Sequence, residues 1–154
     1  MSSNFPRGET ETSTQPTTEA DQPVEESRGL IVAVIHDVMF GVAVTNAIQE
    51  LGFTPKLLKL PSQLPAVLET EKPKLIVVDS TTVGITASRW APIRDAVAAN
   101  YRVIAYAPHR NILLMRAALD AGVARLVRKG QFHRDMGLLI ERYATLTDLD
   151  EEWL

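Results

Sequence analysis

The chain has 154 residues, of which 45% are apolar and 23% charged, with no cysteine and a formal net charge of -3. This length suits one domain with one core rather than two, and the missing thiols exclude disulfides, cysteine-ligated zinc, iron–sulfur clusters and thiol nucleophiles. The charge is unevenly spread: Glu9, Glu11, Glu19, Asp21, Glu25 and Glu26 face only Arg7 and Arg28 in the first 28 residues, and "DLDEEWL" closes the chain with four more acids, so the middle is net positive.

Residues 1–28 are rich in Ser, Thr, Glu and Pro and nearly free of large apolar side chains, a composition that cannot offset the entropy of ordering and predicts a disordered acidic arm. No signal-peptide core is present. The apolar runs "GLIVAVI" and "KLIVV" are far shorter than the roughly 20 residues a membrane span needs, so a soluble cytoplasmic protein without a membrane partner is expected. From Leu30 short apolar runs alternate with segments of helical period. "LIVAVI" (30–35) reads as a strand buried on both faces, and residues 38–51 as a helix with Phe40, Val44, Ala47, Ile48 and Leu51 on one stripe, stopped by Gly52. "PKLLKL" (55–60) is a second strand, and "SQLPAVLETE" a short helix with Pro65 in its first turn. "KLIVVD" (74–79) is the third strand. "ASRWAPIRDAVAAN" (87–100) is a helix in which Pro92 argues for a late start or a kink. Strand "YRVIAYA", helix "NILLMRAALDAG", strand "ARLVRK" and a helix from about His133 to Tyr143 follow. Five β-α units with strands of near-continuous Val, Ile and Leu predict a five-stranded, parallel, doubly wound α/β sheet over 29–144, with an acidic tail at 145–154.

In such a sheet a site forms beyond the carboxyl ends of the strands. Those ends carry His36-Asp37, Asp79-Ser80, Ala107-Pro108-His109 and Lys129-Gly130. No Gly-rich phosphate fingerprint, GxxxxGK[ST] or GxSxG motif is present, so neither a nucleotide-binding enzyme nor a serine hydrolase is supported. By itself, Asp79 reads either as a nucleophilic carboxylate or as a residue capping backbone N–H groups at a strand end.

"LIVVDS" in the middle and "AALDAGVARLVRKG" near the end resemble the receiver domain of two-component response regulators, a (βα)5 fold of the flavodoxin-like kind. The resemblance implies Asp79 as phosphoryl acceptor, Lys129 as the lysine that binds the phosphoryl group, and Mg²⁺ held by carboxylates, with Asp37 and Asp79 as its remaining ligands. It also implies losses. The acidic pair after the first strand becomes Ile35-His36 in one alignment and His36-Asp37 in another, so Mg²⁺ binding is weakened in both. Ala107 replaces the switch hydroxyl, Leu126 the switch aromatic and Gly130 the proline after the lysine. The expected protein is a degenerate, pseudo-receiver-like signalling module, not an enzyme, working through protein contacts. The alternatives are a phosphorylation-competent single-domain regulator and a flavodoxin-like ligand or metal binder built on His36, Asp79 and His109.

With its helpers lost, Asp79 is expected to pair directly with Lys129. Arg125, Arg128 and Arg134 belong to a basic cluster where receiver domains meet partners, which points to a histidine kinase or other signalling protein. The acidic arm is expected to contact that face. The sequence pI of 5.6 and the lack of an aromatic platform argue against nucleic acid.

Overall fold

The computed structural model describes residues 26–146; the arm up to residue 25 and the tail from residue 147 lie outside the described residues. Five strands form one sheet: β1 (Leu30–Val34), β2 (Thr54–Leu58), β3 (Leu75–Asp79), β4 (Val103–Ala107) and β5 (Arg125–Arg128). All pairs are parallel and the order is β2-β1-β3-β4-β5. The helices are α1 (Val38–Glu50), α2 (Leu64–Thr70) after a 3₁₀ turn at Pro61–Gln63, a single turn α3 (Ser80–Val83), α4 (Ala87–Ala98), α5 (Ile112–Asp120) and α6 (Lys129–Thr145). No helix of the described residues is long and apolar enough to cross a membrane.

Alternation along each strand sends successive side chains to opposite faces, which makes two cores. Ile31, Ala33, Ile35, Leu75, Val77, Ile104 and Tyr106 pack against Val44 and Ile48 of α1 and Phe132, Met136 and Ile140 of α6. On the other face Val32, Val34, Ile76, Val78 and Val103 meet Leu64 of α2, Trp90 and Ile93 of α4 and Ala118 of α5. The strands are apolar on both sides because both faces are covered.

Three local features depart from the sequence reading. α4 starts at Ala87 and runs through Pro92. Loss of the Pro92 N–H removes one helical hydrogen bond, but side chains of the helix pin its first turn, Trp90 Nε1 donating to the Gly84 carbonyl ahead of it at 2.7 Å and Arg94 Nη1 to the Ala87 carbonyl at 3.1 Å. The last helix begins at Lys129, four residues before the expected start, and breaks at Asp135 (φ -110, ψ 21); buried Phe132 anchors the added turn. α3 had no periodicity to announce it. Its N-terminus is capped by Asp79, and it ends at Gly84, whose φ of 99 a side chain would strain.

The folded unit also reaches past both expected edges. Arg28 forms a two-pronged ion pair with Glu141 at 2.7 Å and lies over the Phe53 ring, 4.3 Å from its centroid. At the other end Arg102 Nη1 donates to the carbonyls of Tyr143 and Leu146, both at 3.0 Å, and Leu146 packs on the core.

Candidate functional site

The strand order reverses between β1 and β3, and beyond their carboxyl ends lies a pocket of about 450 Å³ lined by His36, Asp37, Lys59, Leu60, Asp79, Thr81, Thr82, Arg89 and Lys129. The carboxyl ends of β1 and β3 place His36, Asp37 and Asp79, and the start of α6 places Lys129. Ile35 is fully buried in the core. The residues that reach the pocket after β1 are therefore His36 and Asp37.

Asp79 is 5% exposed, and its Oδ1 accepts the Thr81 N–H at 2.9 Å. Burial raises its pKa; the Thr81 N–H, the Lys129 charge and Thr82 oppose that rise without cancelling it. Asp37 serves the helix instead, since its Oδ1 accepts the Phe40 N–H at 3.1 Å and caps α1. Thr82 Oγ1 accepts the His36 N–H at 2.9 Å, tying the loop after β1 to α3.

The direct Asp79–Lys129 ion pair does not form. Lys129 Nζ sits 4.9 Å from the centroid of the Phe40 ring, and the ion pairs among the described residues are Arg28–Glu141, Lys56–Glu71 and Arg134–Asp135. The physical reason is that Lys129 is the first residue of α6, and the face of Phe40, on the neighbouring helix, offers the ammonium a neutral seat. Lys129 acts on Asp79 through its field.

His109 does not join the pocket. It lines a separate hollow with Pro108, Arg110 and Asn111, where Arg110 Nε donates to His109 Nε2 at 3.1 Å. Among the described residues no group of three or more His, Asp or Glu side chains could hold a metal ion, so the His36/Asp79/His109 arrangement is not assembled. Asp37 and Asp79 are also a poor pair for Mg²⁺. One carboxylate engages an oxygen in the cap of α1 and the other is buried and accepts the Thr81 N–H, whereas Mg²⁺ keeps several waters around carboxylates that are open to it. Of the basic cluster, Arg125 and Arg128 stand exposed on the edge strand β5, Arg125 Nη1 donates to the Tyr143 hydroxyl at 3.1 Å, and Arg134 pairs with adjacent Asp135 at 3.3 Å.

Tyr106 is the site residue that strand ends alone do not reveal. The parallel register pairs it with Asp79, so both side chains leave the same face. It stacks on Phe132 at 4.7 Å and meets Phe40 at 5.2 Å. Its hydroxyl is buried near the Asp79 carboxylate with no hydrogen bond of good geometry among the described residues, and burial, then the charges of Asp79 and Asp37, hold its pKa well above the ordinary phenol value. Ala107, one residue on, is buried and offers no hydroxyl. Tyr106→Phe is expected to be neutral or to stabilise the fold by about 1 kcal/mol, because it removes an unpaired buried donor and keeps the ring. Urea unfolding checks this; a loss above about 1 kcal/mol would show a bonded hydroxyl.

No family model and no curated protein matches the sequence. Solved structures do. The chain is similar to a response regulator from Thermotoga maritima (TM-score 0.63, 18% identity, covering 77% of this chain and 98% of that one). It is also similar to a CheY-like response regulator receiver domain from Methanospirillum hungatei (TM-score 0.65, 16% identity, 83% and 100% covered). A third likeness is to the receiver domain of a sensor histidine kinase from Pseudomonas aeruginosa, which has a magnesium ion coordinated in its active site cleft (TM-score 0.65, 15% identity, 77% and 98% covered). The expected five-stranded α/β architecture is the observed one, and the chain has the receiver fold.

Proposed function

We propose that the chain is a receiver-like signalling module that acts through protein contacts and does not depend on phosphorylation of Asp79. The observation that carries this reading is the state of the groups around that carboxylate. Phosphoryl transfer to an aspartate depends on ionised carboxylates holding a metal, a cation on the incoming oxygens and a donor for the product. Here His36 lines the pocket where the resemblance implies a metal-binding acid, Ala107 has no hydroxyl, and the Lys129 ammonium is seated on Phe40. Asp79 itself is desolvated, which disfavours the charged nucleophile. The module has no catalytic role of its own in this reading and works in the cytoplasm. Its partner is another signalling protein, a histidine kinase among them, met at the edge formed by Arg125, Arg128 and Arg134. The acidic arm competes for that edge.

Acetyl phosphate in Mg²⁺ provides the test. The intact mass of the chain is expected to stay unchanged, and Asp79→Asn to leave partner capture unchanged. A phosphoryl mass increment that is quantitative and absent from Asp79→Asn would overturn the proposal in favour of a phosphorylation-competent regulator.

A further inference from the structure

The pocket beside Asp79 contains three cations, Lys59, Arg89 and Lys129, and among the described residues none of them forms an ion pair with a carboxylate. Two of them are nevertheless held in place by neutral groups. The Arg89 guanidinium donates through Nε to the Val83 carbonyl and through Nη2 to the Thr82 carbonyl at 3.5 Å, contacts that fix its orientation without cancelling its charge. Lys129 rests on the Phe40 ring, again uncancelled. Lys59 joins them from the loop after β2, where its N–H donates to Gln63 Oε1 at 3.0 Å. Two carboxylates share the wall, Asp37 capping α1 through one oxygen and buried Asp79 accepting the Thr81 N–H, and the three cations outnumber them.

We infer that this pocket binds a small phosphate-bearing molecule non-covalently and without a metal, with Lys59, Arg89 and Lys129 as its charged contacts. The inference rests on the reading that Asp79 is not a phosphoryl acceptor, and it gives the module a ligand in place of a covalent mark. Held cations in a concave site attract an anion at little cost in ordering, and a guanidinium with a free edge suits phosphate oxygens. At about 450 Å³ the pocket exceeds what one phosphate fills and falls within the range of small-molecule sites. Half-exposed Leu60 supplies apolar wall for the organic part.

The test uses the full chain in EDTA, titrated with inorganic phosphate, glucose 6-phosphate and AMP, and followed by calorimetry and backbone amide shifts. Saturable binding is expected, with shifts centred on Lys59, Arg89 and Lys129. The double variant Lys59→Ala/Arg89→Gln should bind at least about tenfold more weakly, since it removes two of the three charge-assisted contacts. Equal affinity for all three probes would assign free phosphate as the ligand, and tighter binding of a monoester would assign a phosphorylated metabolite. Absence of saturable binding, or binding that the double variant leaves intact, overturns the inference. Failure here is distinct from failure of the parent reading. Asp79→Asn should keep or raise its probe affinity, because it removes a negative charge from the pocket wall, and only mass labelling by acetyl phosphate bears on Asp79 as an acceptor.

Discussion

Replacing Asp79 with Asn is expected to stabilise the fold at neutral pH, by about 1–3 kcal/mol on the scale of a poorly compensated buried polar group, and the gain should disappear on acidification. Burial raises the folded-state pKa of Asp79 above the ordinary 3.8, more than Thr81, Lys129 and Thr82 lower it. A carboxyl raised in this way favours the folded state below its unfolded pKa, and that contribution is lost as pH rises through the folded value. Above it the native chain holds a desolvated charge that the unfolded chain hydrates freely. Asparagine carries no charge and still accepts the Thr81 N–H, since Asn and Asp cap helices about equally well. Urea unfolding of both chains across a pH series should therefore give curves that separate at pH 7 and merge near the unfolded carboxyl value. A variant less stable at pH 7 would mean that the attraction of Lys129 outweighs burial.

The positions of His36, Asp37, Asp79 and Lys129 around one pocket were legible because each stands at or just past the end of an apolar run, and a parallel sheet puts all such ends on one edge. Other residues in or beneath the pocket were less accessible to the sequence. Lys59 directly follows β2, so the same rule applied to the second strand would have found it. Arg89 arrives through the single turn of α3 and the reversal at Gly84, which four residues of no clear period did not foretell. Tyr106 needed register as well as strand position: only the pairing with Asp79 shows that a tyrosine one residue before the strand end shares the carboxylate's face. The expected Asp79–Lys129 pair failed for a related reason. Opposite charges at the ends of β3 and β5 say nothing about a phenylalanine on α1 that can seat the ammonium first. The acidic surroundings of Arg28 place it in the arm, whereas its partner Glu141 lies on α6, 113 residues away.

His36→Asp is expected to raise Mg²⁺ affinity by about tenfold or more, a modest fraction of what one added charge a few ångströms from a divalent ion can supply at a protein surface. His36 is exposed and lines the pocket, and its backbone N–H is fixed by Thr82 Oγ1, so the substitution adds a carboxylate without disturbing either core. Asp37 keeps one oxygen for its cap and has the other for the metal. The bound ion would in turn favour the charged form of Asp79, joining three carboxylates into one site. Titration calorimetry with Mg²⁺ measures the gain, and His36→Asn, which adds an oxygen but no charge, should show little of it. The same substitution must act oppositely on an anion: in EDTA, the added negative charge should weaken binding of inorganic phosphate or AMP. A His36→Asp chain that stays folded but gains no Mg²⁺ affinity would show that Asp79 and Asp37 are not disposed toward a common ion.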